Sequence, residues 1–245
     1  MPDLLEKTTP DLLEKIAQTD WQAVSDSIND KGYALLPGFL SAAQCQSLIG
    51  RFDNTDEYRK TVVMARYRFG QGLYKYWDYP LPELVQTLRE NLYPKLVPIA
   101  NHWMDLLRID KQFPNRFSEL QTACHQCGQQ KPTPLILQYG EGGYNTLHQD
   151  LYGEVYFPLQ AACFLSEPEK DYTGGEFVLT EQVPRAQSKA LVLTPKRGDM
   201  IVFTTQFRPV KGVRGYYRAN MRHGVSEVRS GMRYAVGIIF HDAVS

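Results

Sequence analysis

The 245-residue sequence has no excess of either charge, with 27 Lys and Arg against 27 Asp and Glu. A globally basic chain, the simplest footprint of a nucleic-acid binder, is therefore absent. No run approaches the ~18 apolar residues of a membrane span, so no membrane partner is expected. The opening MPDLLEKTTPDLLEK turns acidic at once and lacks the basic-then-apolar order of a signal peptide, which leads us to expect a cytoplasmic protein. Cysteine is sparse. Of Cys45, Cys124, Cys127 and Cys163, only Cys124 and Cys127 are close, in ACHQCG. A structural zinc site would need a second pair or two histidines, and no His-x-Glu is present for a zinc deaminase. Unreactive thiols in a reducing compartment are expected. The hydrophobic fraction of 43% and charged fraction of 22% are ordinary globular values and argue against disorder, collagen and coiled coil.

What is present divides near residue 132. Before it the sequence reads mainly as helix. PDLLEK occurs at 2–7 and again at 10–15, too short for a structural repeat. A helix is expected from about Asp20, then an apolar run at 32–40, then a helix with Ser41 as its N-cap. Pro94 and Pro98 predict two helical pieces over 82–108 rather than one. The segment 58–77 is a loop or a strand pair around Gly70 and Gly72, and FSELQTACHQCG a helix stopped by Gly128. From Pro132 onward, short β-rich segments such as PLILQYG, GGEFVLTE, GDMIVFTT and RYAVGIIFH follow one another without intervening helices. The expectation is an α+β chain, with a helical flank (1–131) packed on a β core (132–245) as one compact unit.

The chemistry concentrates in the second half. His148 and Asp150 are two residues apart, and on an extended strand such residues face the same side. A metal needs a third ligand, for which His223 in RHGV is the candidate; the alternative is ordinary core or loop histidines. Two histidines and a carboxylate on one face leave three metal positions open, the arrangement of non-haem Fe(II) oxygenases. Ten residues after His223, Arg233 stands amid the apolar residues of GMRYAVGIIF. A buried arginine requires an anionic partner, and a dicarboxylate cosubstrate would supply one.

On these residues the sequence resembles the Fe(II)- and 2-oxoglutarate-dependent dioxygenases. Their motif is His-x-Asp, a distal His, and an Arg or Lys about ten residues later. Here those are His148, Asp150, His223 and Arg233. GYALLPGFLSAAQCQSLI, LQYGEGGYNTLHQD, TGGEF and RGDMIVF are similar to segments of the prolyl-hydroxylase-like branch, over roughly 32–50 and 134–242. The run YGEGGYNTLHQDLYGEVYFPLQ and the phrase TGGEFVLTEQ look like a bacterial oxygenase family described as acting on damaged nucleic acid. Arg233 sits at the hydroxylase-like distance, whereas alkylation-repair dioxygenases carry two arginines farther on. The resemblance implies a double-stranded β-helix (jelly roll), Fe(2+) held by His148, Asp150 and His223, and 2-oxoglutarate and O2 as cosubstrates. It also implies that Arg233 and Tyr139 bind 2-oxoglutarate, with succinate and CO2 released as a substrate C–H bond is oxidised.

Two stretches break the charge balance. Residues 58–77 carry Arg59, Lys60, Arg66, Arg68 and Lys75 among six aromatic residues, and 200–226 carry Arg208, Lys211, Arg214, Arg218 and Arg222, neither with an acid. Cations interleaved with rings suit phosphates and stacked bases; packing of the flank, or an acidic peptide, explains them equally. The second stretch runs into His223 and is expected near the metal mouth. Arg66, Arg68, Arg218 and Arg222, with Tyr144 and Tyr152 flanking the metal pair, are therefore substrate candidates. Three functions stand: oxidation of nucleic acid or another anionic molecule, hydroxylation of a protein side chain or free amino acid, and a non-catalytic metal-binding module.

Overall fold

The structure, a computed structural model, describes residues 8–245; the first PDLLEK copy and the opening segment lie outside the described residues. Helices α1 (Thr8–Gln18) and α2 (Trp21–Lys31) come first. The Asp20 side chain accepts from the Ala23 N–H to start α2, and Gly32 ends it at φ 79°, a conformation that favours glycine. Strand β1 (Tyr33–Leu36) leads to α3 (Ala42–Gly50). Ser41 and Gln44 cap each other's backbone there, the reciprocal pair the Ser41 expectation pointed to.

The segment 58–77 forms β2 (Tyr58–Val63), a 3₁₀ turn (Met64–Tyr67), β3 (Gly70–Gln71) and β4 (Leu73–Trp77). It is a strand pair, β2 against β4. Gly72, at φ 150°, passes so close to Tyr139 that a Cβ would lie 2.8 Å from its ring. Next comes α4 (Glu83–Leu106), one continuous helix where Pro94 and Pro98 predicted a break. Both prolines lie on its exposed side, so the carbonyls they leave unpaired meet water. The opposite side, with Leu88, Leu92, Leu96 and Trp103, is buried in the main core and holds the helix together across both prolines. Helix α5 (Phe117–Gln126) follows, placing buried Cys124 in its last turn and exposed Cys127 at its end.

The remaining strands are β5 (Leu135–Tyr139), β6 (Tyr144–His148), β7 (Leu159–Phe164), β8 (Tyr172–Gly174), β9 (Phe177–Gln182), β10 (Lys189–Leu193), β11 (Met200–Thr204), β12 (Phe207–Gly212), β13 (Gly215–Val225), β14 (Val228–Gly231) and β15 (Arg233–Ile238). The major sheet has the order β1-β11-β7-β15-β5-β4-β2; the minor sheet runs β10-β9-β13-β6-β3, with β12 hairpinned onto β13. All pairs are antiparallel, and together they form the jelly roll. Strands β1, β2 and β4 precede residue 132 yet extend the major sheet at both edges.

Strand periodicity separates two environments across the major sheet. On β15, Val236 and Ile238 pack with α4 in the main core, while Arg233, Ala235 and Gly237 face a cavity between the sheets. Phe164, Phe177, Leu179, Ile201, Phe203 and Met221, drawn from both sheets, form a second buried cluster. Arg89 on α4, fully buried, locks the chain after β15 in place: it donates to the carbonyls of Ile239 and Phe240, to the Tyr79 hydroxyl, and to buried Asp242 at 2.5 Å. Among the described residues no helix is long and apolar enough to cross a membrane.

Candidate active site

His148 and His223 are direct register partners across the β6–β13 pair, so both rings project from the same face. Their centroids lie 4.2 Å apart. Strand β6 ends at His148; the chain leaves it and still returns the Asp150 carboxylate between the rings. Asp150 Oδ1 is 3.6 Å from His148 Nε2 and Oδ2 is 3.2 Å from His223 Nε2. The three ligand atoms lie within 4.8 Å of one another, the only such group among the described residues. Nδ1 of His148 donates to the Thr146 carbonyl at 2.7 Å, which leaves Nε2 as its free lone pair. Burial pushes the His223 imidazole down, reinforced by His148, and a neutral imidazole is what a metal binds. Burial alone would raise Asp150, yet the two imidazoles and hydrogen bonds from His223 and Tyr152 hold it well below the usual carboxylate range. A nitrogen–nitrogen–carboxylate face of this kind fits Fe(II) with three open positions.

The cavity in front of these ligands measures about 230 Å³. At one end stands Arg233, 2% exposed, with no carboxylate partner among the described residues and its Nε unpaired. Its guanidinium lies over the rings of Tyr139, Phe164 and Tyr172 at 5.4, 5.5 and 5.9 Å. Tyr139 is its register partner on β5. Burial pushes the Tyr139 hydroxyl up to about 12, against the pull of Arg233, so it stays protonated and able to donate. A buried, uncompensated cation beside a phenol donor fits one carboxylate of 2-oxoglutarate.

Tyr152 also lines the cavity, and its hydroxyl donates to Asp150 Oδ1 at 2.7 Å. Tyr144 is exposed and does not line the cavity, whereas its neighbour Asn145 on β6 does. Arg66 and Arg68 are exposed on the turn before β3 and do not line the cavity, but their neighbour Phe69 does. Of the stretch 200–226, Phe203, His223, Gly224 and Val225 line the cavity, whereas Arg218 and Arg222 are exposed, with Met221 and His223 between and beside them buried. Alternation along β13 sends these arginines to the outer face of the minor sheet. Arg208 instead packs against Glu181 as a partly buried ion pair. Cavity residues the sequence reading did not single out are Tyr74, Tyr76, Asn145 and Gln160. The i, i+2 tyrosines of LYKYW carried the signal, since residues two apart share a strand face. His241 is fully buried, accepts from the Phe157 N–H through Nδ1, and does not line the cavity.

A jelly roll with a convergent His-Asp-His face and a buried arginine at the other end of the cavity defines a 2-oxoglutarate/Fe(II)-dependent oxygenase. Comparison with known proteins places the chain more narrowly. Residues 72–243 match the Oxygenase-NA family, described as "oxygenase, catalysing oxidative methylation of damaged DNA", and the chain belongs to that family. It is 49% identical over 164 residues to the uncharacterized protein Rv2227 of Mycobacterium tuberculosis, covering 67% of this chain and 70% of that protein. Its fold is similar to a Pseudomonas putida prolyl-4-hydroxylase (TM-score 0.55, 16% identity, 91% of this chain and 98% of that one). It is also similar to a Trichoplax adhaerens prolyl hydroxylase solved with a hypoxia-inducible-factor peptide (TM-score 0.57, 15% identity, 93% and 95%). Fe(2+), 2-oxoglutarate and O2 are the reactants this class requires.

Proposed function

We propose that this oxygenase acts on damaged or modified nucleic acid, removing or hydroxylating an alkyl substituent of a base. The observation that carries the substrate is at the cavity rim. Phe69 lines the cavity and stacks on exposed Tyr67 with centroids 5.5 Å apart and planes 19° apart, while Arg66 and Arg68 flank the pair. Exposed stacked rings between cations suit a single strand, charge for phosphate and π-face for base. The family description points the same way.

In this reading His148, Asp150 and His223 hold Fe(II), and Arg233 and Tyr139 hold the far carboxylate of 2-oxoglutarate. Tyr152 keeps Asp150 oriented and ionised. Bound there, metal and cosubstrate supply the oxidation: one oxygen of O2 enters succinate, formed with CO2, and the other enters the substrate C–H bond. On an N-methyl group the hydroxylated product releases formaldehyde. The chain's part is to hold the target carbon at the three ligands and exclude water with aromatic walls.

Succinate release should rise when the Fe(II)-loaded protein meets single-stranded oligonucleotides carrying N-methylated bases, with formaldehyde formed in step. Strand binding should weaken steeply with salt. Coupled turnover on peptides or amino acids, with none on any oligonucleotide, would replace this reading by side-chain or amino-acid hydroxylation.

A further inference from the structure

The cavity holds a second unpaired polar group, distant from Arg233. Gln160 on β7 is 2% exposed, lines the cavity, and has no hydrogen-bond partner for its Nε2 among the described residues. Buried amide donors are nearly always satisfied, so an orphan facing a cavity marks a ligand contact. The carboxylate anchored on Arg233 lies elsewhere along the sheet. Ala161, the neighbour of Gln160, pairs with Ile238, and Arg233 lies five residues away along β15, roughly 17 Å of strand.

Gln160 stands instead beside the metal ligands. Its register partner on β11 is Phe203, whose ring is 4.9 Å from that of His223. The floor between Gln160 and Arg233 is made of Ala162, Ala235 and Gly237. A methyl added at Gly237 would meet only Leu135, at 3.5 Å, so packing does not demand the glycine and the space above it is free. Tyr76, Tyr152 and Phe203 supply aromatic walls. An uncharged amide between rings suits a flat, neutral heterocycle with an acceptor on its edge, and the cation-flanked rings at the rim suit the strand that carries it.

We propose that Gln160 reads the edge of a nucleobase that has left its strand and entered the cavity, its Nε2 donating to a ring-nitrogen or carbonyl acceptor. The contact sets which substituent of the base faces His148, Asp150 and His223, and so which carbon is oxidised. This rests on the nucleic-acid reading above.

The test uses anaerobic protein loaded with Fe(II) and 2-oxoglutarate, titrated with labelled single strands carrying N-methylated bases, and with analogues lacking one edge acceptor at a time. Removing the acceptor that Gln160 reads should weaken wild-type binding and coupled turnover about tenfold. Gln160→Met should show the same weakening on the intact base and no further loss on that analogue, while its 2-oxoglutarate Kd stays within about twofold. Gln160→Asn, which keeps the amide but withdraws it by one methylene, should behave like Gln160→Met and guards against a packing artefact. Unchanged binding and discrimination in both variants overturns the role of Gln160 and leaves the nucleic-acid reading standing. An equal loss of 2-oxoglutarate affinity overturns it in favour of a cosubstrate contact. No turnover of any oligonucleotide by the wild type overturns both readings together.

Discussion

Replacing Arg233 by Met separates what the guanidinium does to the ligand-free protein from what it does to a ligand. Without 2-oxoglutarate, the buried cation faces three rings and no carboxylate among the described residues. Each cation–π contact contributes roughly 0.5–2 kcal/mol, against a desolvation penalty of several kcal/mol for the unpaired charge. The two nearly cancel, and Met fills much of the same space. Ligand-free Arg233→Met should therefore match the wild type within about 1 kcal/mol, or a Tm within roughly 2–4 °C. Ligand binding behaves oppositely. Two charge-assisted hydrogen bonds at about 1.5–3 kcal/mol each predict a loss of about 3–6 kcal/mol, roughly 10²- to 10⁴-fold in the 2-oxoglutarate Kd. Urea melts of the ligand-free protein and anaerobic calorimetric titration of the metal-loaded protein read the two quantities separately. The reasoning fails if the ligand-free variant loses several kcal/mol, or if its 2-oxoglutarate affinity stays within threefold of wild type.

Tyr152→Phe deletes the hydroxyl that holds Asp150 Oδ1, and should weaken metal affinity about 10- to 100-fold, read by competition with a chelator. Arg89→Ala leaves Asp242 buried without its guanidinium, which should cost about 3–5 kcal/mol in a urea melt; a loss below about 1 kcal/mol would show the clamp to be dispensable. Burial lowers His241 from 6.5 to about 4. Because the unfolded chain takes up that proton first, stability is present above pH 6.5 and falls by about 3 kcal/mol as pH drops toward 4. His241→Asn should flatten that limb of the stability curve, and an unaltered limb would assign it to other groups.

The ligand face was legible because its information is local and chemical. The two-residue spacing of His148 and Asp150 is weak alone, and it gained weight from the family motif it resembles together with His223 and Arg233. Ser41 carried its own cap. What the sequence obscured depends on partners far along the chain. The prolines of α4 break a helix by local rule, and only the buried stripe of Leu88, Leu92 and Leu96 overrides it. Tyr74 and Tyr76 reach the cavity because β4 pairs with β5, a contact nothing within 58–77 specifies. Arg218 and Arg222 were substrate candidates by proximity in sequence to His223, while alternation along an extended segment already set Arg222 opposite it, and both lie exposed on β13. Gln160 is an unremarkable residue in PLQAAC; its meaning comes from having no partner where it is buried.

With the proposed ligand set, the facing positions of His148 and His223 on β6 and β13 would make iron a sensor of chain registration. The two residues belong to strands brought together across most of the second half of the sequence, and a slip of one place would turn one ring to the outside. Only the correctly aligned pair presents both nitrogens to one ion, so the ion adds its binding free energy to that alignment and to no other. Iron supply would then govern how long the correctly aligned β6–β13 pair survives as well as how fast the enzyme turns over.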